Sequence, residues 1–151
     1  MLKSLDLAAQ GPVLDMGCGN GIIGTVVARR HPGTAVHMVD AGEIAVAAAA
    51  RTAATNHAAV QCYSSDLYGE VPPGVRFGEI VTNPPFHAGV ETNYGITSRL
   101  IQESPDHLLA GGRLWLVANR FLPYDRLLNY TFGRVATVAQ NARFTLYLAS
   151  E

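Results

Sequence analysis

The most specific chemical pattern in this sequence consists of Asn83, Pro84, Pro85 and Phe86. A residue before proline is held extended, and two prolines in succession fix the backbone and donate no N–H groups. Two rigid acceptors remain side by side, the side-chain oxygen of Asn83 and the carbonyl oxygen of Pro84. They suit an amine with two protons to donate, and Phe86 adds a flat face for a stacked base. A rigid turn after a strand is the structural alternative.

Such a clamp favours chemistry on an exocyclic nitrogen. The amine of guanine or adenine is a poor nucleophile because its lone pair is delocalised into the ring. Holding both N–H groups out of the ring plane favours a directed lone pair, which is a positioning effect. The protein then needs no nucleophile of its own. The residues predicted to be catalytic are Asn83, Pro84, Pro85 and Phe86.

A glycine-rich loop upstream has the pattern D-x-G-x-G-x-G. Its glycines permit positive φ and close approach of a ligand, and the helix that follows presents free N–H groups. The stretch also contains G-x-G-x-x-G, the dinucleotide fingerprint, so the loop alone does not separate S-adenosylmethionine from a nicotinamide cofactor. The loop residues predicted to bind the cofactor are Asp15, Gly17, Cys18, Gly19 and Gly21.

Further cofactor ligands are predicted just past the next strands. Asp40 follows Gly21 by 19 residues and ends the second strand, where a carboxylate accepts hydrogen bonds from ribose hydroxyls. Asp66 follows the third strand and suits the exocyclic amine of an adenine, with Leu67 over the ring face; helix capping is its alternative role. The predicted set is Asp40, Ala41, Asp66, Leu67 and Asn83.

Apolar periodicity predicts strands that alternate with helices, which implies a largely parallel, three-layer α/β sheet. Ligands of such sheets bind beyond the carboxyl ends of the strands. The predicted strands cover residues 13–15, 35–39, 59–63, 79–82 and 113–118, followed by a hairpin of 135–139 and 143–148 around Asn141. The predicted helices cover 22–30, 42–56, 97–109 and 124–132, with Gly111 and Gly112 closing the third. The clamp after the fourth strand favours methyl transfer over nicotinamide chemistry.

Composition narrows the class of protein. With 151 residues, 48% hydrophobic and 15% charged, the chain suits one globular domain. It has no apolar run of roughly 18 residues and no signal peptide, so we expect a cytoplasmic protein without membrane contact. Cys18 and Cys62 lack metal-site spacing and the five histidines are scattered, so no metal is expected. A net charge of -1 argues against a broad basic surface but allows a local arginine patch.

The chain resembles the catalytic domain of bacterial small-subunit rRNA guanine-N2 methyltransferases (RsmC type). The shared motifs are T-N-P-P-F-H-A-G, from Thr82 to Gly89, and G-G-R-L-W-L-V-A-N-R-F-L-P-Y, from Gly111 to Tyr124. The resemblance implies a class I methyltransferase, Rossmann-like sheet of seven strands, mostly parallel with an antiparallel last strand. It also implies S-adenosylmethionine as cofactor and the N2 amine of a guanine in 16S ribosomal RNA as substrate.

The family usually has an additional N-terminal domain, whereas about a dozen residues precede the first predicted strand here. We therefore expect residues 1–151 to form a single catalytic domain. The family also often has an aspartate where this chain has Gly78 and Glu79. Arg120 and Tyr124 are candidates for RNA contact, and Trp115 is predicted to lie in the core.

The clamp alone leaves other acceptors open. A guanine N2 in 23S rRNA, an adenine N6 and a protein glutamine all present a suitable nitrogen. A noncatalytic, RNA-binding module with a methyltransferase fold is a further alternative.

Overall fold

Seven strands and four helices occupy the part of the chain that the computed structural model describes, residues 5–7, 11–84 and 90–151. The strands are β1 (Val13–Met16), β2 (Val36–Asp40), β3 (Gln61–Ser64), β4 (Phe77–Thr82), β5 (Leu108–Asn119), β6 (Arg134–Gln140) and β7 (Phe144–Ser150). The helices are α1 (Ile22–Arg30), α2 (Glu43–Thr55), α3 (Val90–His107) and α4 (Tyr124–Thr131).

The strands form one mixed sheet in the order β3-β2-β1-β4-β5-β7-β6. Strands β1 to β5 pair in parallel, and β7 runs antiparallel between β5 and β6. The predicted fold class is confirmed, including the terminal hairpin. The strand order reverses at β1 and β4, so a crevice is expected beyond their carboxyl ends.

Both faces of the sheet are covered, because successive side chains of a strand point to opposite sides. Leu14 belongs to the larger apolar cluster, which includes Ile101 of α3 and Leu128 of α4. Val13 belongs to a cluster on the other face with Val27 of α1. Strands buried on both faces read as continuous apolar runs, which explains why the sequence predicts them well.

The junction between α3 and β5 differs from the prediction. Helix α3 already includes residues 90–96 and ends at His107, and β5 begins at Leu108. The prediction that Gly111 and Gly112 close the helix was wrong, because both lie within β5 at a register shift against β4. Gly111 has φ +73°, and a Cβ on Gly112 would lie 2.8 Å from the carbonyl oxygen of Leu109. These glycines therefore allow the irregular backbone within β5 and do not end α3.

A buried ion pair joins β4 to β5 near the amino-terminal segment. The Glu79 carboxylate is fully buried and accepts hydrogen bonds from Arg113 Nε at 3.0 Å and from Trp115 Nε1 at 2.8 Å. Arg113 Nη2 also donates to the backbone oxygen of Asp6 at 2.6 Å, and its Cζ lies 5.3 Å from the Trp115 ring centroid. Trp115 is 2% exposed, which confirms its predicted core position. The sequence departure at Glu79 therefore has a structural role.

In the described part of the chain, no helix has both the length and the apolar character that crossing a membrane requires. Within the same ranges, no three His, Cys, Asp or Glu side chains lie close enough together to hold a metal ion.

We predict that Glu79→Gln lowers the free energy of unfolding by about 3–5 kcal/mol, because it leaves the Arg113 charge buried without its partner. Urea unfolding followed by circular dichroism measures the change. The matched control is Glu103→Gln, which removes an exposed partner of Arg99 four residues away in α3. That change is expected to cost less than about 0.5 kcal/mol. Similar losses in both variants would contradict the buried pair's role.

Candidate active site

The glycine loop is hydrogen-bonded to the end of β2. The backbone N–H groups of Gly17 and Cys18 both donate to the carbonyl oxygen of Val39, at 2.8 and 2.9 Å. Gly17 and Gly19 have φ values of +70° and +54°, and a Cβ on either would meet no other atom within 4 Å. Positive φ favours glycine at both positions, and the space beside them leaves their backbone open to a ligand.

The two later glycines of the pattern are packed against protein instead. A Cβ on Gly21, which has φ +76°, would lie 2.7 Å from Cα of Ala49 in α2. A Cβ on Gly24 would lie 2.6 Å from Cε of Met38 and 3.2 Å from Oδ2 of Asp15. The predicted ligand contact of Gly21 thus coincides with a helix-packing role that the sequence pattern did not indicate.

We predict that Gly21→Ala is more destabilising than Gly74→Ala, which serves as its matched control. Gly74 has a similar φ of +81°, but nothing lies within 4 Å of its Cβ position. The control should lose about 1–2 kcal/mol from backbone strain alone. Gly21→Ala should lose roughly a further 1–3 kcal/mol from overpacking against α2. Equal shifts in the urea midpoint would show that the contact with Ala49 is unimportant.

Asp15 lies within β1, beneath the glycine loop. It is 1% exposed, and its Oδ2 accepts a hydrogen bond from the N–H of Gly24 at 2.8 Å. Its Oδ1 has no hydrogen-bond partner among the described residues. Burial, reinforced by the charge of Asp40, raises the pKa of Asp15 from 3.8 to about 7, although the Gly24 N–H opposes the shift. An unpaired carboxylate oxygen in this position suits a cationic group.

The raised pKa of Asp15 predicts a pH-dependent stability. Between pH 4 and pH 7 the folded protein holds a proton that the unfolded chain has released, so the free energy of unfolding falls as pH rises through this range. Relative to Asp15→Asn, the wild-type protein should lose on the order of a few kcal/mol between pH 4 and pH 8.

Urea unfolding of both proteins across this pH range measures the difference, and exposed Asp125→Asn serves as the control. A wild-type advantage over Asp15→Asn that stays constant or grows with pH would contradict the prediction.

A pocket of about 160 Å³ opens over the ends of β1, β2 and β4. Asp40 lies at its edge, with Oδ2 accepting from Gly19 N and Oδ1 from Gly42 N, both at 2.9 Å. Each carboxylate oxygen has a second lone pair, so this fixed carboxylate can still accept two ligand hydroxyls. The lining contains the predicted residues Gly17, Asp40, Ala41, Asp66, Leu67 and Pro84, together with Met16, Val39, Ser65, Thr82, Ile96, Thr97 and Leu100.

The loop after β3 holds an unusual backbone conformation. Leu67 has φ +50° and is 7% exposed. The Ser65 hydroxyl stabilises this turn, since it donates to the Leu67 carbonyl and accepts from the Glu70 N–H, each at 2.9 Å. Strained backbone of this kind persists only where the surroundings hold it, and here it presents Leu67 to the pocket. Asp66 is exposed and pairs with Arg99 of α3 at 3.3 Å.

Asn83 and Pro84 lie between two pockets. Buried Pro84 lines the pocket that contains Asp40, whereas exposed Asn83 lines a second pocket of about 280 Å³. The other residues of the second pocket are Val117, Ala139, Gln140, Asn141, Phe144, Thr145 and Leu146. Pro85 and Phe86 lie outside the described residues. The structure therefore brings the first half of the predicted clamp next to the predicted nucleoside ligands.

Several of these positions were not anticipated as part of a site. The second pocket is lined largely by the β6–β7 hairpin, and the lining of the first includes Ile96, Thr97 and Leu100 of α3. The sequence predicts the hairpin and most of α3, but it does not show what these elements face.

Tyr124, a candidate for RNA contact, is 3% exposed and stacks on Tyr94 at 5.2 Å between ring centroids, so its ring does not reach the surface. Burial raises the pKa of Cys18 to about 12, so its thiol is not a nucleophile.

The sequence of residues 1–148 matches the model of the methyltransferase small domain family. The chain belongs to the methyltransferase small domain family. Among curated members, it is 42% identical over 150 residues to the ribosomal RNA small subunit methyltransferase C of Hamiltonella defensa. It is 43% identical over 149 residues to the protein of the same name from Aeromonas hydrophila. Both matches cover 99% of this chain but only 44% and 43% of the relatives, so it spans less than half of their length.

Solved structures of similar proteins show the same architecture. The T. thermophilus 16S rRNA N2 G1207 methyltransferase (RsmC), in complex with AdoMet and guanosine, superposes with a TM-score of 0.83 at 30% identity over 93% of this chain and 37% of that one. A ribosomal protein L11 methylase from Lactobacillus delbrueckii superposes with a TM-score of 0.76 at 20% identity, over 95% of this chain and 73% of that one. The predicted family resemblance is confirmed, as is the methyltransferase fold.

Proposed function

We propose that this chain is the catalytic domain, spanning residues 1–151, of an S-adenosylmethionine-dependent methyltransferase that modifies the N2 amine of a guanine in 16S ribosomal RNA. The observation that carries the proposal is the position of Asn83 and Pro84 between two pockets. One pocket has the carboxylates that suit a nucleoside cofactor, and the other has space beside the Asn83 side chain for a substrate base. The choice of guanine N2 and of the small subunit follows the relatives' names.

The residues of the first pocket fit S-adenosylmethionine. Asp40 would accept hydrogen bonds from the ribose hydroxyls, Asp66 from the adenine amine, and Leu67 would cover the ring. The amino-acid portion of S-adenosylmethionine would lie along the loop of Gly17, Cys18 and Gly19. There it would be near Oδ1 of Asp15, which has no hydrogen-bond partner among the described residues. A buried carboxylate favours this cationic molecule over the pyrophosphate of a nicotinamide dinucleotide, which would place two anions above Asp15. When bound, S-adenosylmethionine supplies a methyl group on a good leaving group.

The chain's own residues would position the acceptor nitrogen. The Asn83 side-chain oxygen and the Pro84 carbonyl oxygen would accept its two protons and direct its lone pair away from the ring. Phe86 would stack on the base, and Pro85 would keep the backbone rigid. Because Asn83 is exposed, the proton that the methylated nitrogen loses can pass to water without a general base.

A methyltransferase of this kind has an expected partner and an expected location in the cell. The partner is ribosomal RNA within the small subunit, and the site needs no metal and no membrane. Such an activity belongs in the cytoplasm, where ribosomal subunits are assembled.

The direct test is transfer of a labelled methyl group onto 30S subunits, free 16S rRNA and 50S subunits in parallel, with mapping of the modified base. We expect label on one guanine of 16S rRNA, in the subunit or in the free RNA. Label on 23S rRNA, on an adenine or on a ribosomal protein would replace the proposed substrate. Absence of transfer, together with absence of S-adenosylmethionine binding in calorimetry, would favour a noncatalytic module.

We predict that Asn83→Ala lowers kcat by at least about 100-fold, because one of the two acceptors that orient the amine is lost. Although Asn83 was predicted as a cofactor ligand, it lines the second pocket and not the first. S-adenosylmethionine affinity, measured by calorimetry, should therefore change by less than about threefold, since Pro84 and the carboxylates remain. The matched control is Asn129→Ala, an exposed amide of α4 whose side chain bonds only within its own helix. Full methylation by an Asn83→Ala protein that binds the cofactor normally would disprove the clamp.

A further inference from the structure

A groove lies beside the pocket at Asn83. We propose that the groove binds the RNA nucleotide next to the target guanosine, with that nucleotide's base stacked on Phe121 and its phosphate held by Arg120 and Arg143. This inference rests on the proposed function, because it extends the path of the same RNA strand away from the Asn83 pocket. The groove has a volume of about 500 Å³ and is lined by Asn119, Arg120, Phe121, Ala142 and Arg143.

The lining has the chemistry of a single-stranded nucleic-acid site. The lining contains two arginines and one aromatic ring, and none of the lining residues is acidic. Neither Arg120 nor Arg143 forms an ion pair with a carboxylate among the described residues. Guanidinium groups suit phosphate oxygens, and an aromatic face stacks on any base. Although the net charge of the chain is -1, this groove is locally basic.

Phe121 is exposed, as is Arg120 directly before it. The exposure of Phe121 is 71%, whereas Tyr124, three residues further on, is 3% exposed in the core. An isolated exposed ring would need no explanation, but this ring lines the same groove as two arginines. The arrangement supplies apolar stacking area and phosphate-binding charge within one nucleotide's reach.

The groove lies in the turns at the ends of paired strands, and backbone hydrogen bonds hold these turns. The N–H of Arg120 donates to the carbonyl oxygen of Arg143 at 3.1 Å, one step beyond the paired residues Asn119 and Phe144. On the hairpin side, Oδ1 of Asn141 accepts from the N–H groups of Arg143 and Phe144, both at 2.8 Å. Both walls are thus fixed before a ligand arrives, which lowers the ordering cost of binding.

The groove adjoins the pocket beside Asn83. Asn141 and Phe144 line that pocket, and the two residues between them in the chain, Ala142 and Arg143, line the groove. An RNA strand that places its target base beside Asn83 would therefore continue over Phe121. This continuity favours an RNA strand over an unrelated protein partner.

The test compares guanosine with a trinucleotide RNA that has guanosine at its centre. Both are titrated by calorimetry into the full chain in the presence of S-adenosylhomocysteine, at several salt concentrations. Phe121→Ala should weaken trinucleotide binding by roughly 5- to 100-fold and leave guanosine binding unchanged, because only the trinucleotide has a flanking base to stack. The matched control is Tyr130→Ala, since Tyr130 is an aromatic residue on α4 with 87% exposure.

The arginines are tested through salt dependence. The double variant Arg120→Gln/Arg143→Gln should reduce the slope of log Kd against log salt by about 0.7 for the trinucleotide, because it removes the contact with one phosphate. Arg126→Gln, an exposed arginine of α4, should leave the slope as in the wild type.

The outcomes separate the two proposals. If Asn83→Ala weakens guanosine binding while the Phe121, Arg120 and Arg143 variants bind the trinucleotide like the wild type, only the groove proposal is overturned. If the wild type binds neither ligand and transfers no methyl group to rRNA, the proposed function fails and the groove proposal with it. A trinucleotide that binds no more tightly than guanosine also overturns the groove.

Discussion

Parallel pairing of β1 with both β2 and β4 is the constraint on which the rest of the site depends. Met16 is in register with Val39 on one side and with Thr82 on the other, and the Thr82 hydroxyl donates to the Met16 carbonyl at 2.8 Å. Because parallel strands end at the same edge, this register brings the glycine loop beside Asn83 and Pro84, although more than sixty residues separate them in the chain. A slip of one residue would turn each side chain to the other face.

Two buried carboxylates in this sheet illustrate different uses of burial. Glu79 has its charge matched by Arg113 and its second oxygen bonded to the Trp115 indole, so its burial stabilises the join between β4 and β5. Oδ1 of Asp15 has no such partner among the described residues, and burial raises the pKa of Asp15 to about 7. An unpaired buried carboxylate costs stability, and the protein keeps it directly beneath the loop where a cationic ligand would compensate its charge.

The glycine pattern also divides into two kinds of position. Gly17 and Gly19 leave their backbone open beside the pocket, whereas Gly21 and Gly24 allow α1 to approach Ala49 and Met38 closely. The close packing of α1 holds its amino terminus under the open half of the loop. The overlapping patterns D-x-G-x-G-x-G and G-x-G-x-x-G therefore include both the glycines that face the pocket and the glycines whose packing keeps the loop in place.

The sequence by itself determined the features that depend on local backbone chemistry and on apolar periodicity. These include the seven strands, the order of elements, the positive-φ loop at Gly17 and Gly19, and the turn at Asn141. Strand and helix limits were close to those observed except at the start of α3, which begins at Val90, and between α3 and β5, where a bulge against β4 uses Gly111 and Gly112. Glycine permits both a helix end and a strand bulge, so its identity alone does not choose between them.

Only the tertiary structure decided which distant residues share a site. The insertion of β7 between β5 and β6 places the hairpin residues beside Asn83, and close approach of α2 gives Gly21 its packing role. Tertiary packing likewise decides that Oδ1 of Asp15 has no hydrogen-bond partner among the described residues. It also decides that Tyr124 is buried. Periodicity and turn chemistry act over a few residues, whereas strand order and helix contacts join residues far apart in the chain.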